Sequence, residues 1–235
     1  ALYHVANQLI FALMKTEVII VAGGKGKRMN SVIPKQFLVL GGKPILMRTI
    51  ECFYHYDSSI HIILVLPQNQ LDYWANLCAD YKFEIPHEVV VGGAERFFSV
   101  KNGLRHIWGN SLVAVHDGVR PFVSTDTLAR CFAAAEKQGT AVPYGDITES
   151  LRKIDGQSSR TVNRNLYKSI QTPQVFQSEL LLKAYEQEFL PAFTDDASVV
   201  EAAGGAITLV PGNPENIKIT SFFDLLVGEA LLKSK

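Results

Sequence analysis

The stretch Val18-Ile19-Ile20-Val21-Ala22-Gly23-Gly24-Lys25-Gly26-Lys27-Arg28-Met29 decides the fold class of this chain of 235 residues. Its first five residues are continuously apolar and mostly β-branched, which is typical of a strand buried on both faces of a parallel sheet. Glycines and three cations follow at once, and Lys35 is a fourth cation nearby. Glycines let backbone N–H groups converge on an oxyanion, and cations balance its charge. The stretch therefore predicts a polyphosphate site at the carboxyl end of a first buried strand.

The same residues exclude the two common phosphate-binding motifs. A P-loop requires Ser or Thr directly after its Gly-Lys pair, whereas Arg28 follows Gly26-Lys27. The dinucleotide fingerprint would need its third glycine at Met29, and the first acidic residue after the loop is Glu51. A nicotinamide-binding site is therefore not favoured.

The rest of the chain alternates apolar runs with segments of helical period. Strands are predicted at His61–Leu66, at residues 112–115 and at residues 140–143. Helices are predicted over residues 44–56, 69–79, 96–107 and 125–138. This alternation predicts an α/β fold, with a Rossmann-like, mostly parallel sheet and helices on both faces. We expect a single domain over residues 17–235.

Residues 144–171 depart from this alternation of strands and helices. They are polar and β-like, with a turn signal at Asp155-Gly156, and predict a hairpin that projects from the sheet. An insertion of this length is typically a lid, a dimer arm or a binding loop, and the alternative is a mobile surface excursion. We call residues 144–171 the arm.

Composition limits the partners. Basic and acidic residues number 23 each, and no apolar run reaches the roughly 20 residues of a membrane helix, so neither nucleic acid nor a membrane is favoured as a partner. Three well-separated cysteines, Cys52, Cys78 and Cys131, are typical of thiols in a reducing compartment, which predicts a cytoplasmic protein. Residues 1–16 lack the basic region and cleavage site of a signal peptide, and we set them aside as an N-terminal extension.

Several different motif blocks are spread over nearly the whole chain. The first is Ala22-Gly23-Gly24-x-Gly26-x-Arg28-Met29 followed by Pro34-Lys35-Gln36. The later blocks are Gly92-Gly93-x-Glu95-Arg96-x-x-Ser99-Val100, Val115-His116-Asp117-Gly118-Val119-Arg120-Pro121, Asn163-Arg164-Asn165, Thr172-Pro173-Gln174-x-Phe176, Thr194-Asp195-Asp196-Ala197-Ser198 and Asn216-Ile217-Lys218-Ile219-Thr220. In these blocks, from about Val18 to Leu232, the chain resembles the sugar-alcohol phosphate cytidylyltransferases.

The resemblance implies a transferase that joins CTP to a polyol phosphate with the help of Mg²⁺. It implies that Arg28 and Lys35 stabilise the charge of the transition state, the kind of catalysis that nucleotidyl transfer needs. It also implies that CTP is bound by Ala22, Gly23, Gly24, Gly26, Gly93, Ala94, Ser99 and Gly118. The family often has Asp where this chain has Ala94, so any side-chain contribution there is absent.

Asp117 follows a predicted buried strand, where α/β sheets bind ligands, and it can hold Mg²⁺ or accept a hydrogen bond from a substrate hydroxyl. Arg120 can pair with Asp117 or reach a phosphate. The resemblance implies that Arg164 and Lys218 hold the polyol phosphate. It also implies that the arm enters the partner's site in a homodimer. Thr172 and Thr194 are further candidate hydroxyl donors, and either Ser150 or Thr148 supplies the hydroxyl of the arm.

The resemblance favours 2-C-methyl-D-erythritol 4-phosphate as the acceptor, and ribitol 5-phosphate stays open as the alternative because the arm departs from the family's usual pattern. A non-catalytic nucleotide-binding protein is the alternative from another class. The presence of both cation sets, on the nucleotide side and on the acceptor side, argues against it.

Overall fold

The computed structural model describes residues 14–23 and 33–234. The apolar run that begins at Val18 lies inside the main sheet as part of strand β1 (Lys15–Val21). This strand lies between β4 (His61–Leu66) and β6 (Ser111–Asp117). Both neighbours run parallel to it, with Val21 opposite Val65 on one side and Asp117 on the other. Three strands therefore end together at one edge. Lys15 and Thr16, which the sequence analysis set aside, belong to β1, so the N-terminal extension is shorter than predicted.

The main sheet contains five strands besides β1, β4 and β6. They are β5 (Glu88–Val91), β7 (Thr140–Asp146), β10 (Lys168–Ile170), β11 (Gln174–Gln177) and β12 (Leu209–Pro211). The strand order is β10-β7-β11-β6-β1-β4-β5, and β12 pairs with β7. Strands β1, β4, β5 and β6 are mutually parallel, whereas β11 is antiparallel to both β6 and β7. A short hairpin of β2 (Val39–Leu40) and β3 (Lys43–Pro44) precedes the first helix.

Seven α-helices complete the described part of the chain. They are α1 (Ile45–Tyr56), α2 (Leu71–Asp80), α3 (Arg96–Leu104), α4 (Thr125–Gln138), α5 (Ser178–Ala184), α6 (Asp196–Ala202) and α7 (Phe222–Lys233). None of the helices in these ranges is long and apolar enough to span a bilayer.

Successive residues of β1 point to opposite faces of the sheet, and each face has its own core. Val18 and Ile20 pack in the core that contains Phe53 of α1 and Phe132 of α4. Ile19 and Val21 pack in the opposite core with residues of α3, α5 and α6. The predicted fold class, a mostly parallel α/β sheet covered on both faces, is confirmed.

Element ends differ from the prediction where long-range partners intervene. Helix α3 ends at Leu104 and not at residue 107, because His106 bonds to Glu88 and the Trp108 N–H to Glu17, both on strands of the sheet. Strand β7 continues to Asp146 because β10 pairs with it there. The predicted helix at residues 69–79 begins as a 3-10 turn, Gln68–Gln70, and continues as α2.

The hairpin predicted in the arm is present. Strands β8 (Leu151–Asp155) and β9 (Ser158–Val162) pair with each other around the turn at Gly156 and form a separate two-stranded sheet. Ile154 at its tip is 68% exposed, and Leu166, in the 3-10 turn that follows, is 79% exposed. Within the described chain the arm therefore carries apolar side chains that face outward.

Candidate active site

A cleft of about 410 Å³ lies at the carboxyl edge of β1, β4 and β6, the edge where α/β sheets bind ligands. Residues predicted from four different parts of the sequence line it together: Ala22, Gly23, Lys35, Gly93, Ala94, Ser99, Asp117 and Lys218. Gly24, Gly26 and Arg28 lie outside the described residues. The cleft thus joins the predicted nucleotide side to the predicted acceptor side.

Asp117, the last residue of β6, is the electrostatic centre of this edge. Its Oδ2 atom lies 2.9 Å from Lys218 Nζ and 3.2 Å from Arg120 Nε, and its Oδ1 atom lies 3.9 Å from Arg96 Nε. Burial alone would raise the pKa of Asp117, but Arg96, Lys218 and Arg120 outweigh it and hold that pKa well below its usual range. The carboxylate is therefore ionised, and three positive charges surround one negative charge.

Arg120 also places Lys218. Its Nη1 donates to the Asn216 carbonyl at 2.8 Å, and the buried Asn216 amide donates to the Thr172 carbonyl at 2.8 Å. One residue past Lys218, the Ile219 N–H donates to the Val119 carbonyl at 2.9 Å. The segment around Lys218 is thus bonded on both sides to the chain that follows β6. The sequence left open whether Arg120 pairs with Asp117 or reaches a phosphate, and in this structure it pairs with Asp117.

Lys35 is placed by its neighbour Gln36. A 3-10 turn, Lys35–Phe37, follows Pro34, and the buried Gln36 Nε2 donates to the Ala22 carbonyl at 2.7 Å and to Gln70 Oε1 at 2.6 Å. These bonds hold the turn against the end of β1, which brings Lys35 into the cleft. Gln36 was quoted in a motif block but not predicted as part of the site.

The Gly92-Gly93 turn forms the opposite wall. The Gly93 N–H donates to Ser99 Oγ at 3.1 Å, and that hydroxyl lies 3.1 Å from the Glu95 carbonyl, which accepts from it. A side chain at Gly93 would lie 2.3 Å from Phe98 Cβ, so only glycine fits. Ser99 therefore shapes this turn from within.

Gly118 has a packing role in this structure. A Cβ atom there would lie 2.8 Å from Ala22 Cβ, and the Gly118 N–H donates to the Val21 carbonyl at 2.9 Å. Glycine at this position lets the ends of β1 and β6 approach closely.

Thr172 is buried behind Asp117. Its Oγ1 accepts from the Asp117 N–H at 3.1 Å and lies 3.1 Å from His116 Nδ1. The other ring nitrogen of His116 lies 3.1 Å from the Arg120 carbonyl, which can only accept, so Nε2 carries the proton and Nδ1 accepts from Thr172. Burial lowers the pKa of His116 to about 4, so the ring is neutral at pH 7. The Thr172 hydroxyl therefore donates one hydrogen bond and accepts one within the protein.

The other predicted acceptor residues do not line this cleft in the described chain. Thr194 is exposed before α6, and its N–H donates to Ser198 Oγ at 3.1 Å. Ser150 is exposed just before β8, and Arg164 Nη1 donates to the Thr148 carbonyl within the arm. Their roles stay predictions.

The predicted metal role of Asp117 fits this arrangement poorly. Mg²⁺ prefers carboxylates combined with phosphate oxygens, but both Asp117 oxygens face cations. Among the described residues, no group of three acidic, histidine or cysteine side chains is placed to hold a metal ion.

Arg96 is a residue of the cleft that the prediction missed. It lies at the start of α3, lines the cleft and forms a two-pronged ion pair with the buried Asp196 at 2.9 and 2.6 Å. The signal available in the sequence was an arginine three residues after Gly93. Its partner lies 100 residues away, and no local pattern reports such a pair.

A mostly parallel α/β sheet that collects a glycine-rich turn, cations and the Asp117 carboxylate at its carboxyl edge defines a nucleotide-binding α/β enzyme of the phosphate-transferring type. The profile of the 2-C-methyl-D-erythritol 4-phosphate cytidylyltransferase family matches residues 16–234. The chain belongs to that family, and the resemblance found in the sequence is confirmed.

Individual relatives agree with this assignment. The enzyme of that name from Phocaeicola vulgatus is 57% identical over 93% of this chain and 100% of its own length, and that from Porphyromonas gingivalis is 47% identical over 94% and 99%. The solved structure of the enzyme from Thermus thermophilus is 32% identical, with a TM-score of 0.75 over 94% of this chain and 100% of that one. The 4-diphosphocytidyl-2C-methyl-D-erythritol synthase of Anaerococcus prevotii is 29% identical, with a TM-score of 0.79 over 94% and 96%.

Proposed function

We propose that the chain transfers the cytidylyl group of CTP to 2-C-methyl-D-erythritol 4-phosphate and releases pyrophosphate, a step of non-mevalonate isoprenoid precursor synthesis. Family membership supports the reaction. The observation that carries the assignment to this cleft is the cation cluster around Asp117, which shares one cavity with Lys35. A binding module for one nucleotide has no need of both sets of charge.

In the proposed reaction, a phosphate oxygen of the acceptor attacks the α-phosphorus of CTP, and the bond to the pyrophosphate oxygen breaks. A phosphate monoester has a second pKa of about 6, so it is already a dianion near neutral pH and needs no general base. The protein contributes alignment and positive charge on the reacting oxygens. Lys35 supplies such a charge from the cleft wall, and Arg28, which lies outside the described residues, is proposed to supply another.

On the nucleotide side, backbone groups of Ala22 and Gly23 and of the Gly93-Ala94 turn are available to CTP, since these residues line the cleft. Gly24 and Gly26 complete this side as predictions from the sequence. Ser99 and Gly118 act by shaping the walls.

On the acceptor side, the exposed ammonium of Lys218 is placed to bind the acceptor phosphate, and Asp117 to accept a hydrogen bond from an acceptor hydroxyl. Arg120 and Thr172 are proposed as positioning residues, because their bonds run to Asn216, Asp117 and His116. Thr194 and the arm residues Arg164 and Ser150, or Thr148 in place of Ser150, remain candidates for direct contacts.

Mg²⁺ is proposed as a partner of the triphosphate itself. It binds phosphate oxygens well and keeps several waters, so it does not require a cage of protein ligands. Asp117 is a poor ligand while three cations surround it.

The arm supports a homodimer with shared sites. A lone two-stranded hairpin is marginal in water, and this one carries exposed Ile154, followed by exposed Leu166 and Tyr167. A second copy of the arm would cover these side chains. The single domain over residues 17–235 and the cytoplasmic location inferred from the cysteines stay predictions.

The proposed function is tested by a pyrophosphate-release assay. Each of CTP, UTP, ATP and GTP is combined with 2-C-methyl-D-erythritol 4-phosphate or with ribitol 5-phosphate. We expect rapid release with CTP and the methylerythritol phosphate only. Faster release with ribitol 5-phosphate would overturn the acceptor, equal rates with a purine triphosphate would overturn the nucleotide assignment, and no release in any combination would leave a nucleotide-binding protein.

A further inference from the structure

A chain of alternating charge runs from the interior of the protein to the cleft. The Tyr185 hydroxyl donates to Asp196 Oδ1 at 2.7 Å. The same carboxylate accepts from both terminal nitrogens of Arg96, and Arg96 Nε points toward Asp117 Oδ1 at 3.9 Å. Asp117 in turn holds Lys218. Nothing in the reaction proposed above uses Tyr185 or Asp196.

The inner half of this chain is buried. Asp196 is fully buried and Tyr185 is 2% exposed, whereas the Arg96 side chain keeps an exposed part in the cleft wall. A buried carboxylate is costly unless charge and hydrogen bonds compensate it, and removal of one partner leaves that cost uncovered. Asp196 therefore constrains the Arg96 guanidinium strongly.

The position of Asp196 is itself fixed by the backbone around it. Asp195 caps α6 by accepting from the Ser198 N–H at 2.9 Å, and Ser198 returns the bond in a capping box. Gln174 of β11 donates to Asp195 Oδ2 at 2.7 Å and accepts from the Ala197 N–H at 2.8 Å. Strand β11 pairs with β6, so the start of α6 is tied to the strand that ends in Asp117.

Tyr185 contacts both Asp196 and the residue next to Arg96. It follows α5, and its ring stacks on Phe97, the neighbour of Arg96, with centroids 4.8 Å apart and planes at 20°. The Tyr185 hydroxyl donates to one oxygen of the Asp196 carboxylate, and Arg96 donates to the same carboxylate. Without this bond, Asp196 can rotate, and the two-pronged contact with Arg96 loses its fixed plane.

We propose that Asp196 and Tyr185 are positioning residues that fix the Arg96 guanidinium, and that Arg96 thereby orients the Asp117 carboxylate toward Lys218 and the acceptor. This inference rests on the proposed function of the cleft. A free arginine side chain samples many rotamers, and a guanidinium held in advance avoids that entropic cost when substrate binds. The effect belongs to the acceptor side, since Asp117 and Lys218 lie there.

The test begins with Tyr185→Phe, which removes one buried hydroxyl and keeps the ring. We expect kcat/KM for the acceptor to fall about tenfold, the size expected of a hydrogen bond to a charged group, while KM for CTP changes less than about twofold. Tyr56→Phe is the matched control, because Tyr56 is half-buried, also stacks on a phenylalanine and lies on α1. An effect of Tyr185→Phe no larger than that of Tyr56→Phe, or an equal loss in KM for CTP, would overturn the proposal.

A double-mutant cycle with Arg96→Lys separates positioning from general structural damage. If Tyr185 acts through Arg96, the double variant should be no slower than Arg96→Lys alone. Additive losses would mean an independent route and would overturn the proposal. A second cycle combines Asp196→Asn with Arg96→Lys, and the same outcome is expected of it. All assays are run well below the unfolding midpoint of each variant.

Failure of this inference is distinguishable from failure of the proposed function. The wild-type protein is assayed first with CTP and the methylerythritol phosphate. Absence of turnover there contradicts the function, whereas normal turnover with an unaffected Tyr185→Phe variant contradicts the positioning role alone.

Discussion

The Lys218 ammonium lies 2.9 Å from Asp117 Oδ2, at the edge where β6 ends. The ion pair keeps a positive charge at the mouth of the cleft, and Lys218 retains an exposed side chain there. An incoming phosphate dianion can therefore meet this charge without a rearrangement of the backbone. The pair links the nucleotide-binding edge to the segment that follows β12.

Lys218→Met should lower kcat/KM for the polyol phosphate by about 10- to 100-fold, because a charged hydrogen bond to the acceptor is lost while the apolar stem remains. KM for CTP should change little. Steady-state kinetics with the acceptor varied check this. Lys183→Met, at an exposed position on α5, is the control and should behave like the wild type. A rise in KM for CTP alone would move Lys218 to the nucleotide side.

Lys35→Ala should reduce kcat by about 10²–10³, since it removes a preorganised charge that tightens in the transition state. Arg28→Ala is expected to act in the same way. Lys43→Ala is the control, because Lys43 pairs with Glu51 on α1 and such partly exposed pairs contribute little. Thermal unfolding should show all three variants folded. A normal kcat combined with weaker CTP binding would instead make Lys35 a ground-state binding residue.

Local patterns predicted those elements whose ends are fixed by adjacent residues. Strand β4 has the predicted bounds because a continuous apolar run needs no distant partner. Helix α4 also has its predicted bounds, since Ser124 caps it through the Thr127 N–H at 3.1 Å. The end of α3 and the length of β7 were mispredicted, because contacts from other strands decide them.

In the candidate site, too, local sequence predicted the residue types but not the distant contacts. Residue types that follow β1 and β6 indicated phosphate chemistry, and Gly23, Lys35 and Asp117 from these segments line one cleft. The contacts that place them were not predictable from spacing. Gln36 reaching Ala22 and Gln70, or Asn216 reaching Thr172, depends on the register of the folded sheet, to which a single sequence gives no access.

Stability should depend on pH through His116. Burial lowers its pKa to about 4, whereas an unfolded histidine has a pKa of about 6.5. Between these values the unfolded chain takes up a proton that the folded chain refuses, so the free energy of unfolding falls as the pH falls, by at most about 3 kcal/mol from this group. Above pH 6.5 the contribution is fully present.

Urea unfolding of the wild type and His116→Gln between pH 7.5 and pH 4.5 measures this effect. The variant is expected to be less stable at pH 7.5 and to lose less stability on acidification, so the two curves converge. His55→Gln, at an exposed position, should run parallel to the wild type. Parallel curves for His116→Gln would show that the pKa of His116 is the same in the folded and the unfolded protein, which would contradict the prediction.

The arm should complete the site of a neighbouring subunit. Arg164 lies in a 3-10 turn between β9 and β10, bonds to the Thr148 carbonyl and does not line the described cleft of its own chain. If it serves the partner, Lys35→Ala and Arg164→Ala place their lesions in different halves of a shared site. Each variant alone should be inactive as a homodimer, whereas a mixed dimer has one site with both lesions and one with neither. After subunit exchange, activity should recover to about a quarter of the wild-type value, since random pairing gives half mixed dimers with one intact site each.

Exchange is verified independently with differently tagged subunits, and a mixture of Lys35→Ala with itself serves as the baseline. No recovery in verified mixed dimers would mean that Arg164 acts within its own subunit or not at all, and the arm would then have no part in a shared site.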